Sequence, residues 1–235
     1  MTGKNRSLLS RTLRFLLASI AACVVLSVIA VLLLRWIDPP TTAFMLRDRM
    51  IASQSGDTKY RLRHEWVAAA KIPVAMKMAV IAAEDQTFPT HHGFDMKSIN
   101  DALEERESGR RVRGASTISQ QVAKNLFLWP GQNWIRKGLE VWFTVLIEAM
   151  WSKQRILEVH LNVAEFGRGI YGVGAASTVF FHKPASRLNA SDAALLAAVL
   201  PSPKRLRADK PSRYVRSRQQ WIMNQMGHMG GLKLP

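Results

Sequence analysis

A mainly α-helical domain preceded by a single N-terminal transmembrane helix is what this sequence predicts. Three features carry that expectation: an uncharged apolar run near the N-terminus, apolar residues recurring at helical spacing from about residue 74 onward, and a scarcity of alternating strand patterns. A chain of 235 residues, 48% hydrophobic, has room for one anchor and one domain with a sizeable core, and no room for a second large domain. Its single cysteine, Cys23, excludes an internal disulfide, so packing must supply the stability.

The anchor comes first. Phe15 to Leu34 reads FLLASIAACVVLSVIAVLLL, 20 residues without a charge. As a helix it is roughly 30 Å long, the thickness of a bilayer core. Ile20-Ala21-Ala22-Cys23 resembles a lipoprotein processing box, but the apolar run continues for 11 residues past Cys23, where a processed lipoprotein turns polar. Lys4, Arg6, Arg11 and Arg14 precede the helix, while Arg35, Arg47 and Arg49 follow it, a bias that only weakly favours a cytoplasmic N-terminus.

This divides the chain into a basic N-terminus (1–14), a transmembrane helix (15–36), a polar and irregular connector (37–59), a folded domain (60–228) and a short tail (229–235). Pro73 suits a first helical turn, and a helix follows it to about Ala83 or Glu84. Further helices are expected near 96–107, 116–127, 134–151, 153–162, 170–179, 190–199 and 211–226. Trp129 and Trp134 fit core packing and a membrane-contacting lip equally well. The basic stretch from Lys204 to Arg218 reads as a solvated or lipid-facing surface.

The formal charge of +16 points to an anionic partner: nucleic acid, anionic lipid headgroups or a phosphorylated substrate. No zinc-ligand spacing, RNA-binding aromatic motif or Walker-type glycine loop occurs, so nucleic acid is not expected.

Five segments hold the side chains for chemistry. Glu84-Asp85 stands at a helix end, followed by Phe88, His91, His92 and Gly93; such an acidic pair serves a cleft or merely pairs with a nearby lysine. In Gly114 to Asn125, helical geometry puts Thr117, Gln120, Gln121 and Lys124 on one face, with Asn125 at its edge and Ser116 just before. Hydroxyls and amides around one lysine suit a sugar or a phosphate better than an ordinary solvated face does. Arg136 and Glu140 lie four apart, with Lys137 beside them. As a surface pair this would contribute only about 0.3–0.5 kcal/mol, whereas as a site it could hold a pyrophosphate directly or through a divalent cation. Lys153 to Asn162 reads as a core helix, and Gly167 to Gly174 as a glycine-rich turn region.

Taken in this order the segments resemble the peptidoglycan glycosyltransferases, the lysozyme-like family that also forms the glycosyltransferase half of bifunctional penicillin-binding proteins. The family pattern Glu-Asp-x-x-Phe-x-x-His-x-Gly falls on Glu84, Asp85, Phe88, His91 and Gly93, and Gly-x-Ser-Thr-Ile-x-Gln-Gln-x-x-Lys-Asn runs from Gly114 to Asn125. Arg-Lys-x-x-Glu falls on Arg136, Lys137 and Glu140, and Ile-Leu-Glu-x-Tyr-Leu-Asn on Ile156 to Asn162. Two positions depart from the pattern: His160 stands where tyrosine is usual, and Gln132 where arginine is frequent. No Ser-x-x-Lys occurs, which matches the monofunctional type without a transpeptidase half.

The resemblance implies a lysozyme-like glycosyltransferase domain that polymerises lipid II into β-1,4 glycan strands. In that scheme Glu84 is the general base, and Lys124, Arg136 and Lys137 offset charge on the leaving pyrophosphate. Glu140 positions the pyrophosphate or a divalent cation, Mg2+ or Mn2+, the one cofactor expected. Ser116, Thr117, Gln120, Gln121 and Asn125 bind sugar and phosphate. The implied partners are lipid II, the growing glycan chain and the membrane, with cell-division or cell-wall synthesis proteins also admitted. The implied location is the bacterial inner membrane, single-pass, with the catalytic domain on the periplasmic side. A lysozyme-like hydrolase and a membrane-bound scaffold or nucleic-acid-binding protein remain the rival classes.

Overall fold

The computed structural model of the chain describes residues 3–108, 116–131 and 133–229. Gly114, Ala115, Gln132 and residues 230–235 of the tail lie outside the described residues. The chain divides into two units, Met1–Ile37 and Asp38–Pro235.

The first unit is one helix, α1 (Gly3–Leu34), which runs without a break through the basic segment and the apolar run. Within it Arg11–Leu34 is long and apolar enough to cross a membrane.

The second unit begins with a helix in the stretch read from sequence as an irregular connector, α2 (Ala43–Gln54). Thr42 caps it, accepting the Met45 N–H at 3.2 Å. The apolar periodicity is broken by Asp48, which is buried and functions as an anchor: it accepts the Tyr171 hydroxyl at 2.9 Å and the Lys204 ammonium at 2.5 Å. A carboxylate with a core position is invisible to a pattern of apolar residues.

The remaining helices are α3 (Val74–Glu84), α4 (Met96–Glu107), α5 (Ile118–Phe127), α6 (Trp134–Met150), α7 (Lys153–Val163), α8 (Gly172–Phe181), α9 (Ala190–Val199) and α10 (Arg213–His228). Side-chain caps fix several starts: Asn133, Ser152, Asn189 and Ser212 each accept a backbone N–H at the third position into their helix. A cap of this kind contributes about 1 kcal/mol. A three-stranded sheet, also unannounced by the sequence, is made by β1 (Arg63–His64), β2 (Glu165–Gly167) and β3 (Ile170–Tyr171) in the order β1-β3-β2. Strands of two and three residues are too short to show alternation. Gly172 must start α8 because its φ is +81° and a Cβ there would come within 2.5 Å of the Asn162 carbonyl oxygen.

Two packed groups build the core. Helices α3, α9 and α10 pack on one another, and α5 packs on α6 and α7. Val80, Ile81, Ile118, Val122, Ile147, Ile156 and Leu196 are fully buried; each such side chain contributes about 1.5–3 kcal/mol. The Ile156–Asn162 segment is scaffold. Asn162 accepts the Val67 N–H at 2.7 Å and donates to the Val67 carbonyl at 2.9 Å, while Glu158 accepts the Ala69 N–H at 2.8 Å. These bonds join the start of the domain to α7. Glu84, at the end of α3, and Gln121, on α5, meet where the two helical groups adjoin.

Candidate active site

Glu84 and Asp85 are neighbours with different tasks. Asp85 is buried and accepts the Ile118 N–H at 2.9 Å, which ties the end of α3 to the start of α5. It also bonds His91 Nε2 at 2.9 Å, while His91 Nδ1 accepts the Gly93 N–H at 3.0 Å; the tautomer with its proton on Nε2 satisfies both bonds. Gly93 has φ +89°, and a Cβ there would stand 2.9 Å from Thr144 Cγ2, so this loop presses directly on α6. The chain from Asp85 through His91 to Gly93 is thus a brace that leaves Glu84 facing the cleft.

Thr117 and Gln120 belong to the same brace. Thr117 is the N-cap of α5: its hydroxyl accepts the Gln120 N–H and donates to the Gly93 carbonyl at 2.7 Å, while the Gln120 amide oxygen accepts the Thr117 N–H at 3.0 Å. Both side chains are buried in this reciprocal capping box. The helical face expected to bind substrate therefore shrinks. Thr117 precedes the helix and does not take part in its periodicity, and its hydroxyl and the Gln120 oxygen are occupied by backbone.

Gln121 keeps its place on that face. Its amide donates to Glu84 Oε2 at 2.9 Å. Protein packed around Glu84 pushes its carboxyl above the ordinary carboxylate range by desolvation, against the opposing pull of the Gln121 bond and the charges of Arg218 and Lys124. Ser116 is exposed at the rim, and Asn125 is half-buried one residue beyond Lys124.

Lys124 links the acid to the cations. Burial pushes its ammonium below the usual lysine range, and the charges that act on it are Glu140, Arg136, Glu84 and Lys137. Arg136, Lys137 and Glu140 form one cluster at the start of α6: Arg136 Nη1 donates to Glu140 Oε2 at 2.7 Å and Lys137 Nζ to Oε1 at 2.5 Å. Arg136 and Glu140 are buried, so this is not the exposed pair of small value that the spacing alone allows. Both Glu140 oxygens are engaged by cations, and among the described residues no three of His, Cys, Asp and Glu gather to hold a metal. The side chains present do not make a protein-held metal site.

A cleft of about 500 Å³ opens at Glu84, lined among others by Ser98 and Asp101 of α4, by Ser116, and by Trp221 and Gln225 of α10. Sequence reasoning missed the α10 side altogether. Arg218, at the end of the supposedly solvated basic stretch, donates from Nη2 to the Ala83 carbonyl at 3.1 Å and contributes positive charge at Glu84. The available signal was its i, i+3, i+7 spacing with Trp221 and Gln225 on one helix.

His160 lies fully buried on α7, with no hydrogen-bond partner for either ring nitrogen among the described residues. Desolvation, helped by the Lys124 charge, depresses its pKa to about 4. In the unfolded chain it protonates near 6.5. Between those values the unfolded state binds the extra proton, so stability falls as pH drops from 6.5 to 4, by about 3 kcal/mol from this residue. His160→Gln cannot titrate, and the stability difference between variant and parent should therefore move by about that amount in favour of the variant over this range. Chemical denaturation at pH 7.5 and pH 4.5 checks it; a pH-independent difference would show that His160 is not held neutral by the fold.

A half-buried carboxylate held by an amide, with a lysine near it and a buried guanidinium–carboxylate pair on the next helix, suits a helical domain that handles an anionic substrate. The family comparison narrows this. Residues 49–227 match the transglycosylase family model, and the chain belongs to that family of lysozyme-like peptidoglycan glycosyltransferases. It is 52% identical over 231 residues to a biosynthetic peptidoglycan transglycosylase of Cronobacter sakazakii, covering 98% of this chain and 96% of the relative. Over 219 residues it is 56% identical to the protein of that name from Klebsiella oxytoca, covering 93% and 90%. The figure is 51% over 221 residues for that of Xanthomonas campestris pv. campestris, covering 94% and 90%.

Proposed function

We propose that this chain polymerises lipid II into linear β-1,4 glycan strands, with the growing chain moving from its polyprenyl pyrophosphate to the 4-hydroxyl of the incoming N-acetylglucosamine. The observation that carries the assignment of roles is Glu84 on the wall of the cleft, held by the Gln121 amide at 2.9 Å, with Lys124 near enough for the charges of Glu84, Glu140 and Arg136 to act on it. Glu84 takes the proton of the 4-hydroxyl as that oxygen bonds to the anomeric carbon of the donor. The bond from that carbon to the pyrophosphate oxygen breaks, and the electron pair leaves with the pyrophosphate. Lys124, Arg136 and Lys137 offset the charge that develops there. Gln121 fixes the Glu84 carboxylate, and Ser116, on the lining of the cleft, and Asn125 contact sugar or phosphate. Glu140 holds the cations in place. A divalent cation, Mg2+ or Mn2+, would add positive charge at the pyrophosphate, and Glu140, engaged by Arg136 and Lys137, is not free to hold it.

The catalytic unit works at the outer face of the inner membrane, with α1 as its single anchor. Exposed apolar side chains on α6, with Trp134 92% and Ile135 76% exposed, support contact of this unit with lipid. Cell-division and cell-wall synthesis proteins are the protein partners this reading admits. Purified full-length chain supplied with lipid II should yield glycan polymer and free polyprenyl pyrophosphate. Release of muropeptides from finished peptidoglycan, with no polymer from lipid II, would establish a hydrolase instead.

The two displaced pKa values shape the pH profile. The base must be ionised, so the rate rises with pH through a Glu84 pKa above the ordinary carboxylate range. The ammonium must stay charged, so the rate falls again below the usual lysine range. In Lys124→Ala the apparent donor affinity should drop roughly tenfold or more, the acid limb should move upward for loss of a neighbouring cation, and the alkaline limb should vanish. Steady-state kinetics from pH 5 to 10 test this, and an unchanged affinity with both limbs in place would remove Lys124 from the site.

A further inference from the structure

Glu84 stands between two regions of opposite character. On α5 and α6, beyond the lining of the cleft, are Lys124, Arg136 and Lys137, with Lys124 close enough for its charge to act on Glu84. Toward α4 and α10 the lining carries Asp95, Asp101 and Glu105 against Lys97, with Arg218 behind it tied to the Ala83 carbonyl. A pyrophosphate belongs on the first side, and the second disfavours any anionic group. What the second side does offer is an aromatic plane, amides, hydroxyls and carboxylate oxygens.

Trp221 is the centre of that side. It is 41% exposed, and it lines the same cavity as Glu84. The Arg218 guanidinium stands over the indole, 4.8 Å from its centroid, and is itself tied to the Ala83 carbonyl. The indole is therefore held in place before any ligand arrives. One turn further on, the Gln225 amide oxygen accepts from Gln86 at 3.2 Å, which leaves the Gln225 NH2 with no partner among the described residues. Across the cleft, Ser98 and Asp101 present a hydroxyl and a carboxylate, the acceptors that sugar hydroxyls use.

We propose that Trp221, flanked by Gln225 and faced by Asp101, is the stacking platform for a neutral amino-sugar ring of the glycan, and so a substrate-binding residue in addition to those named above. A pyranose puts a sheet of C–H bonds against the electron-rich face of an indole while its hydroxyls and N-acetyl group reach the amide and carboxylate around it. The charge separation assigns sugar to the α10 side and pyrophosphate to the α6 side, with Glu84 between them at the bond being made.

This rests on the polymerase reading, and its test is chosen to separate the two. N-acetylglucosamine tetramer is titrated into the detergent-solubilised full chain, its binding read by calorimetry, for the parent, Trp221→Ala and Trp221→Phe, with inorganic pyrophosphate titrated in parallel. The expected result is tetramer affinity about tenfold or more weaker in Trp221→Ala and largely kept in Trp221→Phe, with pyrophosphate affinity unchanged in both. With lipid II, Trp221→Ala should raise KM more than it lowers kcat. Equal tetramer binding by parent and Trp221→Ala, or none by the parent at millimolar concentration, overturns the proposal. A parent that binds tetramer through Trp221 yet makes no polymer from lipid II would instead overturn the polymerase reading alone. Thermal unfolding of each variant controls for folding.

Discussion

Glu84→Gln should lose polymerisation by about 10²- to 10⁴-fold while keeping its fold and its affinity for lipid II. The two side chains have nearly the same shape, and a glutamine oxygen can still accept the Gln121 amide that now reaches Glu84 Oε2. What disappears is the ability to take a proton. Stability should move in the opposite direction from activity. Desolvation is the leading influence on Glu84 and raises the energy of its charged form, so a neutral amide in its place leaves the melting temperature unchanged or higher. A merely structural glutamate would show the reverse, with activity near normal and stability reduced. Polymerisation rate, lipid II binding and thermal unfolding measured on one preparation distinguish the two. Near-normal turnover would remove Glu84 from the mechanism.

The sequence showed which segments matter more clearly than it showed what each side chain in them does. Long periodic helices were legible: α4, α6, α7 and α9 fall within a residue of their expected limits. Helix α2 was not, because its core position is held by Asp48, a residue whose buried role depends on Tyr171 and Lys204 far along the chain. Within the site, the helical wheel grouped Thr117, Gln120, Gln121 and Lys124 as one polar face. Capping took two of them out of it, since an N-cap side chain serves the first turn of its own helix. Arg218 escaped notice for the converse reason. In a stretch of scattered arginines nothing local marks the one whose guanidinium lies against α3, and that contact spans 135 positions of sequence.

Glu140→Ala should destabilise the protein by about 3 kcal/mol or somewhat more, and here too the physical reason is a charge left alone. Arg136 is 8% exposed, its Nε has no partner among the described residues, and Glu140 is the carboxylate that answers its charge. Removing one member of a buried pair costs about 3–5 kcal/mol, mostly the penalty of the uncompensated survivor. For a domain of this size that is a fall of roughly 10 °C in melting temperature. Lys137→Ala is the contrast, because the Lys137 side chain is 43% exposed and its pair with the same carboxylate is worth about 1 kcal/mol or less. The double variant Arg136→Met/Glu140→Leu should recover much of the loss, since apolar side chains of similar volume replace both charges. It should nevertheless fail to polymerise, because the cation that faces the pyrophosphate is gone. Stability and function then separate along the series. Mg2+ or Mn2+ titrated into the substrate-free parent should give no saturable heat at this site, whose carboxylate oxygens are already taken. If Glu140→Ala proves no more damaging to stability than Lys137→Ala, the pair does not balance a buried charge, and the cationic cluster on α6 would need a different physical account.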